Sequence, residues 1–140
     1  MKPSLNFLFA LSLCLLAAGV SRQALADEPA DGIRDAILSQ IEAFATDDAE
    51  SAWHYASTSV KQRLQTPRAF LRMVRSQYPA IYQASAIHFG RLIPHDGFQI
   101  QQVQFQGPSG LLWDSFYTMV NENDHWAIGG VDIWQAETGI

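Results

Sequence analysis

Residues 111–134 read LLWDSFYTMVNENDHWAIGGVDIW, and this stretch decides the fold of the chain. Two runs rich in aromatic and branched residues flank the polar turn NEND at 121–124, which is the pattern of a β-hairpin. In the second run the apolar alternation changes phase between Ile128 and Val131, at the glycine pair 129–130. An inserted residue shifts such a phase and glycine tolerates the backbone it needs, so we predict a β-bulge there. Because a bulge bends its strand, we expect a curved sheet.

A second hairpin is predicted just before the first one. Its opening strand has alternating apolar residues at Ile87, Phe89 and Ile93, and the turn PHDG at 94–97 follows. In the returning strand, 98–105, the apolar phase changes between residues 101 and 102, which predicts a second bulge there. The turn GPSG at 107–110 leads into the first hairpin. The four strands therefore form an antiparallel meander.

Helices are predicted ahead of the sheet. The first helix begins at Asp31, which can cap it, after a short mobile leader at 27–30. Asp47 and Glu50 have the spacing of a capping box for a second helix. A short helical piece follows at 60–64. The inward face of the first helix repeats with helical spacing at Ile33, Ile37, Ile41 and Phe44.

The next helix begins at Thr66 and Pro67, a capping side chain followed by proline at the first helical position, and Pro79 ends it. Three arginines lie together on one of its faces: Arg68, Arg72 and Arg75. Such a face can bind an anionic ligand or partner, for which guanidinium groups are well suited. Internal pairing or plain solvation of the arginines is the favoured alternative, because exposed charges usually do no more than that.

The amino terminus has the pattern of a secretory signal peptide. An apolar run follows a positively charged start, and Ala24 and Ala26 form an A-x-A cleavage site. We therefore expect a signal peptide at 1–26, cleavage after Ala26, a single domain at 27–140, and export to the periplasm or the medium. The apolar run is too short to remain as a membrane span. The only cysteine, Cys14, would leave with the signal, which excludes disulfides and thiol chemistry.

The charge balance argues against nucleic acid as a partner. Removal of Lys2 and Arg22 from 9 basic residues leaves 7 against 14 acidic residues, so the formal charge changes from −5 to −7. The basic residues are concentrated at 51–95, which contains no acid, and both flanking segments are acidic. A net acidic chain is repelled by the phosphate backbone.

Helices followed by a four-stranded meander give an α+β domain in which a curved sheet wraps the helices. The order of elements resembles the nuclear transport factor 2-like fold, the cone shared with ketosteroid isomerase. Four segments resemble a bacterial family called domain of unknown function 4864: AWHYAS at 52–57, TPRAFLRMVRSQYP at 66–79, FYTMV at 116–120 and HWAIGGV at 125–131. The resemblance covers essentially the whole chain after the signal. It implies the fold and no activity, since the family has no established one.

No metal, cofactor or nucleophile motif is present in the sequence. The histidines, at 54, 88, 95 and 125, lack ligand spacings such as H-E-x-x-H, and there is no G-x-S-x-G. An acid–base enzyme, isomerase-like or hydratase-like, is the enzymatic alternative, because a dry cone raises the pKa of a buried carboxyl. The residues that could serve it are Asp114, Asp132, Tyr78 and Tyr117. Asp114 and Tyr117 are three apart on one strand, so they are expected on opposite faces.

A pocket between the sheet and the helices is the other candidate site. The aromatic and sulfur-containing residues that could line it for a small apolar or anionic ligand are Trp53, Met73, Tyr78, Trp113 and Tyr117, with Met119 beside them. The same residues could instead simply fill the core. The sequence does not decide between the two outcomes.

Both faces of the strand 111–120 are largely apolar. One face carries Leu111, Trp113, Tyr117 and Met119, and the other carries Leu112, Phe116 and Val120 with Asp114 and Thr118. A sheet with a solvated side should instead alternate apolar and polar residues, so the outer face needs a cover. We predict a homodimer through that face, since a two-fold axis lets one surface cover itself. The favoured function is a non-catalytic binding or interaction module, with the acid–base enzyme and a self-associating structural protein as alternatives.

Overall fold

The computed structural model describes the backbone of residues 22–137 and the side chains of residues 29–137. Within these residues, helices precede an antiparallel sheet with strand order β1-β2-β3-β4. The elements are α1 (Arg22–Ala45), α2 (Ala49–His54), α3 (Thr58–Leu64), α4 (Pro67–Gln77), α5 (Pro79–Tyr82), β1 (Ala86–His95), β2 (Phe98–Gln106), β3 (Leu112–Glu122) and β4 (His125–Gln135). The predicted α+β fold, with helices followed by a four-stranded meander, is confirmed.

Helix α1 packs against the inner face of the sheet. All four residues of its predicted inward repeat, from Ile33 to Phe44, are buried. The helix starts earlier than predicted, at Arg22, so a mobile leader at 27–30 and a cap at Asp31 are both wrong. Residues 22–26 are mostly good helix formers, so the helix begins before Asp31, nearer the amino terminus. In a chain cleaved after Ala26, Pro29 would lie in the first turn, where its missing N–H is no loss.

The predicted apolar run of the signal peptide lies outside the described residues. From residue 22 onward, none of the helices combines the length and the apolar character needed to cross a membrane.

The cap of α2 is one residue away from the predicted capping box. The side chain of Asp48, not Asp47, accepts the backbone N–H of Ser51 at 3.1 Å. Asp47 instead has a left-handed backbone, with φ of 53°, in the bend between α1 and α2. The capping box of Asp47 and Glu50 is therefore wrong, because the bend that ends α1 delays the start of α2 by one residue.

The start of α4 is as predicted, whereas α3 begins at Thr58, two residues before the predicted helical piece at 60–64. Ser57 and Thr66 each accept a backbone N–H in the first turn of their helix, at 3.3 Å and 3.1 Å respectively. Helix α4 ends before Pro79, and Pro79 then opens the short helix α5, which the sequence pattern did not indicate.

The predicted hairpin of β3 and β4 is present, but its turn is shorter than the predicted turn at 121–124. Its two-residue turn is formed by Asn123 and Asp124, whose φ angles of 53° and 62° are both left-handed, as a type I′ turn requires. Consecutive residues of β3, Thr118 and Met119, pair with residues 130 and 128 of β4, so Gly129 is the inserted residue. The predicted bulge at the glycine pair is confirmed.

The second bulge lies on β1, so its predicted position on β2 is wrong. Gly90 and Arg91 of β1 together face the single residue Gln102, whereas β2 pairs without interruption with β3. Gln101 causes the apparent change of phase, because this polar side chain points to the core and is only 2% exposed. Its carboxamide donates to the carbonyl oxygens of Gly90, at 3.3 Å, and Arg91, at 3.4 Å. The amide therefore forms hydrogen bonds with the backbone at the bulge.

Helix α1 and strand β4 approach each other closely at Gly32. A Cβ atom on Gly32 would lie 2.7 Å from Cδ1 of Trp126, which is closer than real Cβ contacts allow. The absence of a side chain at residue 32 thus permits the close packing of the helix on the sheet.

Candidate functional site

A cavity of about 70 Å³ lies between the helices and the inner face of the sheet. The bulge at Gly129 shifts the phase of β4, so that both Ile128 and Val131 face inward toward it. The apolar wall is formed mainly by Phe44, Phe70, Val74, Ile81, Ile128 and Val131. A concave, mostly apolar space with a few polar groups is the usual form of a small-molecule site.

Tyr117 of β3 borders this apolar cavity and carries a buried polar group. Its side chain is 1% exposed, and its hydroxyl has no hydrogen-bond partner among the described protein groups. A buried hydroxyl in that condition costs about 1–3 kcal/mol. Burial raises the pKa of the phenol well above its ordinary value of 10, so the hydroxyl keeps its proton at any physiological pH. It can therefore donate a hydrogen bond to a bound molecule.

Arg63, in the last turn of α3, is the charged residue of the cavity lining. Its side chain is exposed, and within residues 29–137 it forms no salt bridge. Gln40 of α1 also borders the cavity, but its amide nitrogen already donates to the carbonyl of Ala52 at 3.1 Å. The polar side chains that border the cavity are thus those of Gln40, Arg63, Tyr78 and Tyr117, and of these Arg63 carries a charge.

No carboxylate borders the cavity within residues 29–137. Asp114 lies on the outer face of the sheet, where its Oδ1 accepts the side-chain amide of Gln104 at 3.0 Å. Asp132 pairs with Phe116 on the same outer face and is exposed. Asp114 and Tyr117 are therefore on opposite faces, as their spacing predicts. Of the four residues named for an acid–base site, the two tyrosines, Tyr78 and Tyr117, border the cavity.

The residues predicted to line a pocket fall into two groups. Met73, Tyr78 and Tyr117 border the cavity. Trp53 packs instead against the ring of Phe70, with centroids 5.8 Å apart. The indole of Trp113 lies against the backbone of residue 107, where an added Cβ atom would be 3.1 Å from the indole nitrogen. Met119 is fully buried in the core and does not border the cavity.

Sequence reasoning missed Gln40 and Arg63. The signal for Gln40 was available, because it lies three residues after Ile37 on the inward face of α1, where a polar residue is unusual. No signal in the sequence distinguishes Arg63 from the exposed arginines that follow it. Its place at the cavity depends on the angle between α3 and the sheet.

One of the three arginines of α4, Arg75, is paired inside the molecule. One guanidinium nitrogen of Arg75 lies 2.9 Å from Oδ1 of Asp47 and 2.9 Å from the hydroxyl of Tyr82. The hydroxyl of Tyr82 donates to the same carboxylate, and this bond together with Arg75 lowers the pKa of Asp47 below its ordinary 3.8. Arg68 and Arg72 are exposed and make no salt bridge in the described part of the chain.

Two of the four histidines, His54 and His125, lie close together. The rings of His54 and His125 lie 4.6 Å apart, and Nε2 of His125 is 3.1 Å from the carbonyl oxygen of His54. No group of three or more His, Cys, Asp or Glu side chains is placed to hold a metal ion among residues 29–137.

Comparison with known proteins supports the fold. Residues 26–139 match the family model described as "Domain of unknown function (DUF4864)". An NTF-2 like protein of unknown function from Silicibacter pomeroyi is 11% identical, with a TM-score of 0.57 over 79% of this chain and 98% of that one. An NTF2-like protein of unknown function from Shewanella baltica is 9% identical, with a TM-score of 0.53 over 79% and 96%. At such low identity these two likenesses concern the fold alone.

No curated protein matches the chain. The family match covers more than half of the sequence, and it agrees with the helix–sheet architecture and with the resemblance of the four aromatic-rich segments. The chain therefore belongs to the DUF4864 family and has the NTF2-like fold.

Proposed function

We propose that this is an exported, non-catalytic binding protein that takes a small apolar molecule into the cavity beside Tyr117. The observation that carries the proposal is the buried hydroxyl of Tyr117, which has no protein partner in a largely apolar wall. Native proteins rarely leave a buried polar group unsatisfied, and the exceptions call for an explanation. A ligand oxygen that accepts this hydrogen bond would provide one.

The size of the cavity limits the ligand. Its volume of about 70 Å³ is roughly half that of an engineered cavity of about 150 Å³ that binds benzene. The buried part of a ligand is therefore a small group of a few non-hydrogen atoms, or the end of a longer molecule. Met73 can widen the space, because its unbranched side chain adapts easily.

Binding fits the site better than the acid–base alternative. A general acid or base works best with a pKa near the working pH. Burial raises the pKa of the Tyr117 phenol still further above the working pH. No carboxylate borders the cavity in the described residues. The hydroxyl is suited to orienting a ligand through a hydrogen bond.

Two methionines allow a direct test of binding. Met73 borders the cavity, whereas Met119 is buried in the core away from it. In protein labelled with ¹³C at the methionine methyl groups, titration with 2-butanone should shift the Met73 signal saturably and the Met119 signal much less. Tyr117→Phe should weaken the response to this ketone. A Met73 signal that stays unchanged at millimolar ketone would contradict the proposal.

Export is the part of the proposal that rests on the A-x-A site. Intact-mass measurement of protein secreted by the native host should give a chain that starts at Asp27. A chain that retains its first residues would remove the proposed location in the periplasm or the medium.

Self-association is a second candidate, favoured by the outer sheet face. Trp134 and Leu112 on this face are 41% and 38% exposed, and Trp134 packs edge-on against Phe116 at 5.0 Å. Gln104 and Asp114 between them are already hydrogen-bonded to each other, which lowers the cost of covering them. We propose that a second copy of the chain covers this face.

Sedimentation velocity at micromolar concentration tests the proposed dimer. Trp134→Glu should convert the dimer to a monomer, because it places a charge in an apolar contact. Leu38→Glu is the matched control, since Leu38 is 42% exposed but lies on α1, which packs against the inner face of the sheet and not the outer one. A wild-type protein that sediments only as a monomer would contradict self-association.

A further inference from the structure

We infer that the cavity selects a short-chain carboxylate that carries a second, neutral oxygen near its apolar end. The inference rests on the proposed binding function and specifies its ligand. It follows from two of the four polar side chains that border the cavity: Arg63 is exposed to solvent, and the hydroxyl of Tyr117 is buried without a protein partner. Of the other two, Gln40 already donates to a backbone carbonyl, and Tyr78 is half-buried.

Arg63 determines the sign of the charge that the ligand carries. It is the charged member of the cavity lining, and it has no salt-bridge partner within residues 29–137. The surrounding segment, 51–95, contains no acidic residue, although the chain as a whole is net acidic. A planar guanidinium binds a carboxylate through two parallel hydrogen bonds. A single exposed arginine is suited to one such group.

Tyr117 determines which end of the ligand enters the cavity. A carboxylate beside the buried Tyr117 hydroxyl would lose its water in a mostly apolar wall, which is costly. A ketone or hydroxyl oxygen there accepts one hydrogen bond and leaves no charge buried. The ligand therefore enters with its neutral end first, and its carboxylate stays on the solvent side near Arg63.

Three five-carbon probes separate these contributions: 4-oxopentanoate has both oxygen functions, pentanoate lacks the ketone, and 2-pentanone lacks the carboxylate. Affinity is measured in the full chain after export by the shift of the Met73 methyl signal and by calorimetry. We expect 4-oxopentanoate to bind most tightly. Raising the ionic strength should weaken the two acids and leave 2-pentanone unchanged.

Two conservative substitutions assign the contributions to residues. Arg63→Gln should weaken both acids by roughly two- to fivefold, as for an exposed ion pair, and leave 2-pentanone unaffected. Tyr117→Phe should weaken the binding of the two ketones, 4-oxopentanoate and 2-pentanone, by roughly two- to tenfold and leave the binding of pentanoate unaffected. Arg72→Gln is the matched control, because Arg72 is exposed but does not border the cavity, and it should change none of the three affinities.

The outcomes distinguish the ligand class from the binding function itself. If 2-pentanone binds as tightly as 4-oxopentanoate, or if Arg63→Gln leaves the acids unchanged, the carboxylate assignment is overturned and cavity binding stands. If pentanoate binds as tightly as 4-oxopentanoate, the assignment of a second, neutral oxygen to the ligand is overturned. If none of the three probes shifts the Met73 signal, both the ligand class and the proposed function fail.

Discussion

Tyr117→Phe is expected to stabilise the protein while it weakens ligand binding. The substitution removes one oxygen atom that is buried and lacks a protein partner, and it leaves the ring in place. An unsatisfied buried hydroxyl costs about 1–3 kcal/mol, and its removal recovers that amount. For a domain of this size, each kcal/mol raises Tm by about 4 °C. Water in the cavity would reduce the gain, since only about 10–15 Å³ is needed for one molecule.

Urea unfolding followed by tryptophan fluorescence measures this change. Tyr82→Phe is the control with the opposite expected sign, because the hydroxyl of Tyr82 bonds both Asp47 and Arg75. We expect the free energy of unfolding to rise for Tyr117→Phe and to fall for Tyr82→Phe. A loss of 1 kcal/mol or more in Tyr117→Phe would show that the hydroxyl has a stabilising partner in the free protein, and the reasoning about the site would be refuted.

Two further changes test the fold around the site. Arg75→Gln should lower Tm at neutral pH, and Arg72→Gln should leave it nearly unchanged. Because the pKa of Asp47 is lowered in the folded protein, the ionised carboxylate stabilises the fold above pH 3.8, and this contribution is lost as the pH falls below 3.8. The effect of Arg75→Gln on Tm should therefore disappear in acid. Gly32→Ala gains about 1 kcal/mol of helix propensity but overpacks Trp126 at a cost of about 1–3 kcal/mol. Thermal unfolding should therefore show a lower Tm, and a higher Tm would contradict the observed contact.

The hairpin and its bulge were predictable because their causes are local. Turn residues that accept a left-handed backbone, and a phase change at a glycine pair, are both visible within about twenty residues of sequence. The inward position of Tyr117 follows from alternation along the same strand.

The second bulge was misplaced because its cause is tertiary. Gln101 looks like an outward polar residue in the sequence, yet it faces the core because it bonds the backbone of the neighbouring strand. The same limit applies to the site. Alternation indicates that Tyr117 points inward, but the absence of a partner for its hydroxyl, and the position of Arg63 at the cavity, depend on how the helices pack on the sheet.

A crystal structure of the protein with 4-oxopentanoate tests the central claim most directly. The account predicts the ketone oxygen within about 2.7 Å of the Tyr117 hydroxyl, the length of an O–H···O hydrogen bond. It also predicts the carboxylate within about 4 Å of the Arg63 guanidinium. Electron density for the ligand with its carboxylate buried against Tyr117, or a cavity that stays free of ligand at saturating concentration, would contradict the account.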